Sequence, residues 1–420
     1  MTPAKTLTRI VTCQGGIQLI AALAALNCRE TEQGDSVYEY EDFLVIYDLC
    51  APGGQAKEFA RVVEKMARAA CNWKAVIYLN PEQMNELEAN VDTSTKATIF
   101  ARVHELVGTA KADEIYLCRN WQWGNRLMIN AYRKAAKICY GDSIGLYFSE
   151  AYFSPVVANN GLPFKSRVRR KLWPFEVFVR ARVKSLLPSV VNKIKDVRDA
   201  RKTLRNVDFD IGYFLLPSIL GEVPPMNTRL VRKEFTERIF RKLAAALDAD
   251  HIADRYKYIA RVPTVVLMTS NFSEAQRMSG ENELLAYRKF LEHLEFPRES
   301  LLIVKPHPRD GEQKIQELGS VLRNLFSDVI LLTDPNLFFI PFEIFLLQTF
   351  QGETEKALLD LRIVTFSTAC LSLAAFFNLR PIIGFGSELV SEFFYTNYVQ
   401  GRITHERDLH LALQKIGQAD

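Results

Sequence analysis

Short apolar runs rich in β-branched residues alternate with longer amphipathic stretches over the first 160 residues of the chain. Compact apolar runs are typical of buried strands, whereas apolar residues three or four positions apart are typical of helices. The pattern predicts strands at 9–13, 43–48, 75–79 and 114–118. It predicts helices after them at 16–27, 55–70, 94–108 and 124–136. Strands joined by helices of this length favour parallel pairing in one doubly wound sheet.

A second alternation of the same kind begins near residue 262, after a separate strand predicted at 210–216. A helix is predicted at 279–295, and strands are predicted at 264–269, 301–305, 329–332, 362–366 and 381–385. A chain of 420 residues has the length of two domains. We therefore predict an α/β fold with two Rossmann-like domains facing each other across a cleft, the GT-B arrangement. A two-domain dehydrogenase or ligand-binding protein has the same outline.

The predicted organisation divides the chain into four parts. They are a first domain at 1–160, a basic amphipathic insertion at 161–207, a second domain at 208–400 and a C-terminal helix at 401–420. We expect the last helix to pack back on the first domain.

The net charge of +4 hides a strongly basic segment between the two predicted domains. Residues 165–206 contain fourteen Lys and Arg but only three Asp and Glu, so the segment carries +11 and the remainder of the chain −7. Trp173, Phe175 and Phe178 lie among the cations, as in segments that bind anionic lipid. An anionic membrane surface, a polyanionic glycan and a solvated insertion without a partner are the open interpretations. Nucleic acid is not expected, because no recognised nucleic-acid module accompanies the charge.

The seven cysteines show no CxxC spacing and most lie in apolar runs, which favours a reducing cytoplasm over a disulfide framework. No apolar run approaches the roughly 20 residues that span a bilayer. We expect a cytoplasmic protein that is at most peripheral at the inner face of the cell membrane. The sequence contains neither the phosphate-binding GxxxxGK[ST], nor GxGxxG after a strand, nor a zinc-ligand spacing. Neither a cofactor nor a metal ion is therefore expected.

The sharpest chemical feature follows a predicted strand directly and reads Lys305-Pro306-His307-Pro308-Arg309. In open α/β sheets, ligands bind at the carboxyl ends of the strands. Prolines on both sides of His307 stiffen the loop, and the neighbouring cations attract an anion. An imidazole placed there can donate a hydrogen bond or a proton to a departing phosphate oxygen. The stretch therefore predicts a nucleotide-phosphate site.

Further polar groups lie at strand ends and helix starts of the second alternation. Ser367 and Thr368 follow one strand and open an apolar helix, where hydroxyls and free N–H groups bind anions. Glu343 is a carboxylate among apolar residues and can bind ribose hydroxyls. The loop after the first strand of this series supplies Thr269, Ser270 and Asn271. Each group alone is also typical of an ordinary cap or loop, and only their common position favours ligand contact.

Four stretches resemble motifs of bacterial sialyltransferases and polysialyltransferases of the GT-B type: TSNFS (269–273), KPHP (305–308), PFE (341–343) and FSTA (366–369). Those enzymes have an HP motif and a later Ser/Thr motif that contact the CMP of CMP-sialic acid. The resemblance implies that His307 assists departure of the phosphate and that Ser367 and Thr368 hold it. It also implies that Glu343 binds the ribose. HP motifs occur as well in transferases that use CMP-Kdo or CDP-activated polyols.

The resemblance further implies a general base in the first domain, where the family carries an acidic motif that ends in Gly. The best match is Gly141-Asp142-Ser143, although the family pattern has two acids before its Gly. Asp142 is therefore the predicted base, at a strand end that faces the other domain. Acceptor contacts are predicted at two more strand ends of the first domain: Gln14, Gly15, Gly16, Arg119, Asn120 and Trp121.

The expected function is that of an inverting, metal-independent glycosyltransferase. It would move an acidic sugar, sialic acid before others, from a CMP-activated donor to a glycan or glycolipid acceptor in surface polysaccharide synthesis, such as that of a capsule. One alternative is a transferase that uses CMP-Kdo or another nucleotide-activated sugar. The other is a non-catalytic protein that binds nucleotide sugars or glycans, in which Gly-Asp-Ser marks a lost base.

Overall fold

The structure, a computed structural model, describes residues 5–34, 38–91, 94–150, 204, 207–247, 252–350 and 361–418. The basic segment 165–206 lies outside these residues apart from Leu204. The predictions of a membrane surface or a charged glycan as its partner therefore also lie outside the described residues. Within the described ranges, no helix is long and apolar enough to cross a membrane.

The first sheet is built, among the described residues, from seven parallel strands. They are β1 Lys5–Cys13, β2 Tyr38–Ile46, β3 Ala75–Tyr78, β4 Glu114–Leu117, β5 Ala136–Cys139, β6 Ile211–Phe214 and β7 Asn227–Leu230. Their order is β3-β2-β1-β4-β5-β6-β7. β1 and β2 pair in register along their whole length, and the last five residues of each are buried. The strands predicted in the first 160 residues are confirmed.

Helices cover both faces of this sheet. They are α1 Gly16–Gln33, α2 Ala56–Ala70, α3 Pro81–Val91, α4 Lys96–Val107, α5 Trp123–Ala131 and, after β7, α6 Lys233–Leu247. The apolar first half of α1 is buried and packs in one core with β1, α2 and α6. α4 shows how the sequence sets the helix ends. Thr95 caps its start by accepting from the Thr98 N–H, and Gly108 ends it in the left-handed conformation.

The second sheet is built, in the same ranges, from five parallel strands: β8 Thr264–Met268, β9 Leu301–Lys305, β10 Asp328–Leu331, β11 Arg362–Thr365 and β12 Ile382–Ile383. Their order is β10-β9-β8-β11-β12. The helices around them are α7 Gly280–His293, α8 Glu312–Leu322, α9 Pro335–Phe338, α10 Phe342–Thr349, α11 Ala369–Phe377, α12 Gly386–Phe393 and α13 Thr396–Ile416. β8 and β9 are buried at every position, as expected for strands covered on both faces. The strands predicted in this part of the chain are confirmed.

The domain boundary predicted at residue 208 differs from the structure. Strands β6 and β7 lie after that position, yet they extend the first sheet, because β6 pairs with β5 and β7 pairs with β6. An apolar run predicts a strand but not the sheet that the strand joins, and the basic segment before β6 suggests a change of domain. The second sheet begins only at β8.

The C-terminal helix α13 begins at Thr396, earlier than the predicted 401, and its second half contacts the first domain. One buried cluster joins the two and contains Leu146, Phe148, Leu409, Ala412 and Ile416. The predicted fold class is confirmed. Both sheets are parallel, both are covered by helices, and the two domains face each other across a cleft.

Candidate active site

A cleft of about 860 Å³ lies between the carboxyl ends of the two sheets and is lined by residues of both domains. The first domain contributes the turn after β5 and the start of α1. The second domain contributes the loops after β8, β9 and β11, the start of α10 and one face of α13. The volume is that of a small-molecule site, and its position is where α/β sheets bind ligands.

The structure brings together the two predicted catalytic residues and most of the predicted nucleotide-binding residues. Those that line the cleft are Asp142, Thr269, Ser270, Asn271, Lys305, His307, Pro308, Glu343, Ser367 and Thr368. The predicted residues that do not line it are Gln14, Gly15, Gly16, Arg119, Asn120, Trp121 and Arg309. Side chains from four strand ends therefore meet in one cleft.

The loop after β9 holds the His307 ring in one tautomer. The backbone N–H of His307 donates to Thr269 Oγ1 at 2.8 Å and to Asp310 Oδ2 at 2.9 Å. The backbone N–H of Arg309 donates to the ring nitrogen His307 Nδ1 at 3.1 Å. Because Nδ1 accepts a hydrogen bond, the proton of the neutral ring is on Nε2. Burial, followed by the charges of three nearby cations, lowers the pKa of His307 to about 3. At neutral pH the ring is therefore an uncharged hydrogen-bond donor.

We expect the ligand-free His307 ring to stay neutral, with its proton on Nε2, from about pH 5 to pH 8. The reason is that protonation would place a half-buried cation beside other cations. Histidine ¹⁵N NMR distinguishes this tautomer from the imidazolium, and the spectrum of His307→Ala assigns the signal. Protonation of this ring between pH 6 and pH 7 would contradict the expectation.

Lys305 and Glu343 are buried side chains of the cleft that act on each other through their charges. Lys305 Nζ donates to the Phe338 carbonyl at 2.5 Å, and Glu343 accepts a hydrogen bond from Ser372 Oγ. Burial lowers the pKa of Lys305 to about 7 and raises the pKa of Glu343, and the charge of each residue opposes the shift in the other. A carboxylate has more acceptor sites than one hydroxyl fills, so Glu343 can still accept from hydroxyl groups of a ligand.

Asp310 organises the His307 loop, and sequence analysis misses it. Its side chain is only 1% exposed and accepts hydrogen bonds from Thr269 Oγ1 at 2.6 Å, the His307 N–H at 2.9 Å and Lys314 Nζ at 2.9 Å. Burial raises the pKa of Asp310 to about 6, and the charge of Lys314 opposes this rise. Thr269 follows β8 and His307 follows β9, so this one carboxylate joins two strand ends.

The start of α11 presents hydroxyls to the cleft. Ser367 Oγ accepts from the Ala369 N–H at 3.4 Å, and Thr368 Oγ1 lies 3.5 Å from Ser143 Oγ of the first domain. The partial positive charge of a helix start attracts an anion, and the N–H groups of Ala369, Cys370 and Leu371 donate to Ser367 and Thr368. The start of α11 therefore lies opposite the turn that carries Asp142.

Asp142 lies in a tight turn after β5. Gly141 has a φ of 78°, and Asp142 and Leu146 exchange backbone hydrogen bonds of 2.7 and 2.8 Å. The Asp142 carboxylate accepts from Gln18 Nε2 at 2.6 Å and pairs with Arg119 Nη2 at 2.8 Å. Gln18 belongs to α1 and Arg119 follows β4, so the carboxylate is oriented by two elements while it lines the cleft.

We expect Gly141→Ala to lower the free energy of unfolding by about 1–3 kcal/mol. A Cβ at this position would lie 2.5 Å from the Leu146 carbonyl oxygen, at a φ that L residues rarely adopt. Thermal or urea unfolding measures the loss. Gly280→Ala is the matched control, because nothing lies within 4 Å of its Cβ and it opens α7. Equal stability of the two variants would argue against the tight turn.

The residues predicted to contact the acceptor make contacts within the protein. Arg119 pairs with Asp142, and its guanidinium lies 5.1 Å from the Trp121 ring. Asn120 Nδ2 donates to the Val207 carbonyl at 3.0 Å. The Gln14 N–H donates to the Oε1 of Gln18, the same residue that binds Asp142. Polar residues at strand ends were the sequence signal for acceptor contact. In the structure these residues make contacts within the first domain.

Gly16 and Arg309 lie where the two domains touch. A Cβ on Gly16 would lie 3.1 Å from Pro341 Cδ of the second domain, and Arg309 Nη2 lies 2.5 Å from Cys50 Sγ of the first. Gly15 precedes α1 as its N-cap. Arg309, predicted to bind phosphate, thus contacts the first domain outside the cleft lining.

Arg277, Arg402 and His405 line the cleft and are missed by sequence analysis. Burial, followed by the charges of the two arginines, lowers the pKa of His405 to about 3. The positive charges on the α13 side of the cleft are therefore those of the two guanidinium groups, of which Arg402 is paired with Glu406. The available signal was the spacing of Asn397, Gly401, Thr404 and Asp408, which line the cleft at intervals of three or four along α13.

Groups of three or more His, Cys, Asp or Glu side chains placed to hold a metal ion are not found in the described part of the chain. The sequence matches a family model over residues 10–351, and that family is described as Alpha-2,8-polysialyltransferase (POLYST). Curated proteins give no significant match.

Solved structures of low sequence identity resemble the chain. One is a putative UDP-N-acetylglucosamine 2-epimerase from Listeria monocytogenes, at 13% identity, with 99% of this chain and 92% of that chain covered and a TM-score of 0.44. Another is the S. aureus MnaA–UDP co-structure, at 12% identity, with 98% and 91% covered and a TM-score of 0.44. Likeness at this level carries no argument about function.

Proposed function

The chain belongs to the alpha-2,8-polysialyltransferase family, whose members are glycosyltransferases, and from this premise we propose that it transfers sialic acid from a CMP-activated donor to a glycan acceptor. The observation that carries the proposal is that Asp142 and His307, from different domains, line one cleft. The CMP donor is supported by the HP and Ser/Thr motifs, because His307, Ser367 and Thr368 line that same cleft.

In the proposed reaction, an acceptor hydroxyl gives its proton to Asp142 as its oxygen attacks the anomeric carbon. The attack comes from the side opposite the phosphate, so the configuration at that carbon inverts. The bond between the anomeric carbon and the phosphate oxygen breaks, and CMP leaves with the bonding electron pair. His307 Nε2–H and the hydroxyls of Ser367 and Thr368 donate hydrogen bonds to the phosphate as its charge grows, and the positive end of the α11 dipole favours that charge. Arg277 contributes positive charge to the same cleft.

The proposed acceptor is a glycan or glycolipid of surface polysaccharide synthesis, such as a capsule chain, met at the inner face of the cell membrane. A glycan acceptor is supported by the family. An anionic partner, whether lipid or glycan, is supported by the composition of residues 165–206 alone.

Nucleotide release tests the proposed donor. The full chain is incubated with CMP-sialic acid, CMP-Kdo or UDP-N-acetylglucosamine, each with and without oligosialic acid. Released nucleotide and acceptor mass are then measured. We expect acceptor-dependent release of CMP, and added sialic acid mass, with CMP-sialic acid only. Transfer from CMP-Kdo would show that Kdo and not sialic acid is the transferred sugar, while the proposed CMP site would stand. No transfer from any donor would contradict the proposal.

A further inference from the structure

A buried ion pair on α13 holds two strand-end loops of the second domain. Arg402 Nε donates to Glu406 Oε1 at 2.7 Å, and the two side chains are only 3% and 7% exposed. Arg402 Nη1 donates to the Phe366 carbonyl at 3.0 Å, and Glu406 accepts from the N–H groups of Phe385 and Gly386 at 3.0 Å each. Phe366 opens the stretch 366–369, here called the phosphate loop. The pair therefore ties α13 to the backbone of that loop.

The surroundings of the pair leave it little freedom. The Arg402 guanidinium lies 4.8 Å from the centre of the Phe272 ring. A Cβ on Gly384, which has a φ of 74°, would lie 2.3 Å from Glu406 Cδ. Removing one partner of a buried ion pair lowers the stability of the protein strongly, because no water replaces the lost contact. The Arg402–Glu406 pair is thus a fixed point between α13 and the phosphate loop.

The next turns of α13 pack on the other half of the site. Leu409 and Ala412 are fully buried in a cluster with Leu146. Leu146 exchanges two backbone hydrogen bonds with Asp142 and closes the stretch 141–146, here called the Asp142 turn. The same cluster also contains the second and third residues of α11, Cys370 and Leu371. One helix therefore touches the supports of both the Asp142 turn and the phosphate loop.

We infer that α13 is a brace that holds the Asp142 turn and the phosphate loop at a fixed separation, an inference that rests on the proposed function. Its positioning residues are Arg402, Glu406 and Leu409. Across the cleft, the two loops meet directly through the Thr368 and Ser143 hydroxyls, 3.5 Å apart. A contact of that length stabilises little by itself. The two domains also touch elsewhere, as at Phe59 and Phe339, whose ring centres lie 4.6 Å apart, but α13 contacts the supports of both loops. A shift of about 1 Å between reacting groups costs about 100-fold in rate.

The matched pair Leu409→Ala and Leu411→Ala tests the brace. Leu409 is fully buried, whereas Leu411, two residues later on the same helix, is 48% exposed. We expect Leu409→Ala to lower kcat for transfer from CMP-sialic acid by about 10-fold to 100-fold, with a smaller change in the Kd for CMP. Leu411→Ala should change neither. A parallel loss of kcat and CMP affinity in Leu409→Ala, or equal effects of the two variants, would overturn the brace.

Glu406→Gln tests the contact between α13 and the phosphate loop. It removes the charge that holds Arg402, so the phosphate loop loses its anchor, and we expect about a 10-fold weaker Kd for CMP. Unchanged CMP affinity in a folded Glu406→Gln would show that the ion pair does not position the loop. Leu409→Val, which removes less volume, replaces Leu409→Ala if the alanine variant does not fold.

Hydrogen exchange of the ligand-free protein separates failure of the brace from failure of the proposed function. In Leu409→Ala, we expect peptides that cover the Asp142 turn and the phosphate loop to exchange faster together, while α7 is unchanged. Faster exchange confined to α13 overturns the brace, whatever the activity. If the wild-type chain transfers no sugar but both loops respond together, the proposed function fails and the coupling of the two loops is supported.

Discussion

His307→Ala is expected to lower kcat for sugar transfer by about 100-fold to 1,000-fold, the usual effect of removing one donor from a site where negative charge develops. The Nδ1 atom of His307 already accepts from the Arg309 N–H, so only Nε2–H is left for the departing phosphate. Because the hydrogen bond strengthens as charge grows on the leaving group, kcat should fall more than donor affinity. Initial rates of CMP release, together with the Kd for CMP from calorimetry, measure the two effects separately.

Two further variants sharpen this test. His307→Gln keeps an N–H donor of similar reach without an ionisable ring, and we expect it to recover about 10-fold of the loss in the alanine variant. His293→Ala changes an exposed histidine at the end of α7, outside the cleft, and should leave kcat unchanged. Wild-type activity in a folded His307→Ala would remove this residue from the mechanism. Equal activity of the glutamine and alanine variants would show that N–H donation is not its contribution.

That the second-domain residues of the cleft lie together could be predicted from sequence because of the geometry of parallel sheets. Thr269 ends a predicted strand, His307 and Ser367 each follow one, and the carboxyl ends of parallel strands meet at one edge. The strands β9, β8 and β11 are direct neighbours in the sheet, which brings the three residues into one cleft although nearly 100 residues separate the first from the last. The local sequence pattern and the geometry of a parallel sheet are sufficient to predict that these three residues lie together.

Partners of polar side chains could not be predicted in the same way. Arg119 has the pattern of a free cation at a strand end, yet it pairs with Asp142 because β4 and β5 are neighbours. Asp310 is a turn residue in sequence, and only the approach of β8 to β9 makes it the acceptor for Thr269. Membership of β6 in the first sheet is likewise a long-range property. Such contacts follow from packing that no short stretch of sequence encodes.

Asp142→Asn is expected to lower kcat by about 100-fold to 10,000-fold, because an amide cannot take the proton of the acceptor hydroxyl. The amide oxygen can still accept from Gln18, but the amide nitrogen would face the Arg119 guanidinium, donor against donor. A moderate loss of stability should therefore accompany the loss of rate. The Kd for CMP should be unchanged, since the phosphate loop belongs to the other domain. Acceptor-dependent CMP release and calorimetry with CMP measure the two quantities.

Asp48→Asn is the matched control for the assignment of the base. Asp48 follows β2 at the same edge of the first sheet, but it does not line the cleft. Its φ of 50° is one that Asn adopts readily, so the substitution should not strain the backbone. Both variants remove one negative charge from the same domain, and only Asp142→Asn removes a carboxylate that an acceptor in the cleft can reach. A large loss of rate in Asp48→Asn, with the wild-type rate in Asp142→Asn, would therefore overturn the proposed base. The reverse result would show that the rate depends on the position of the Asp142 carboxylate and not on the loss of one negative charge.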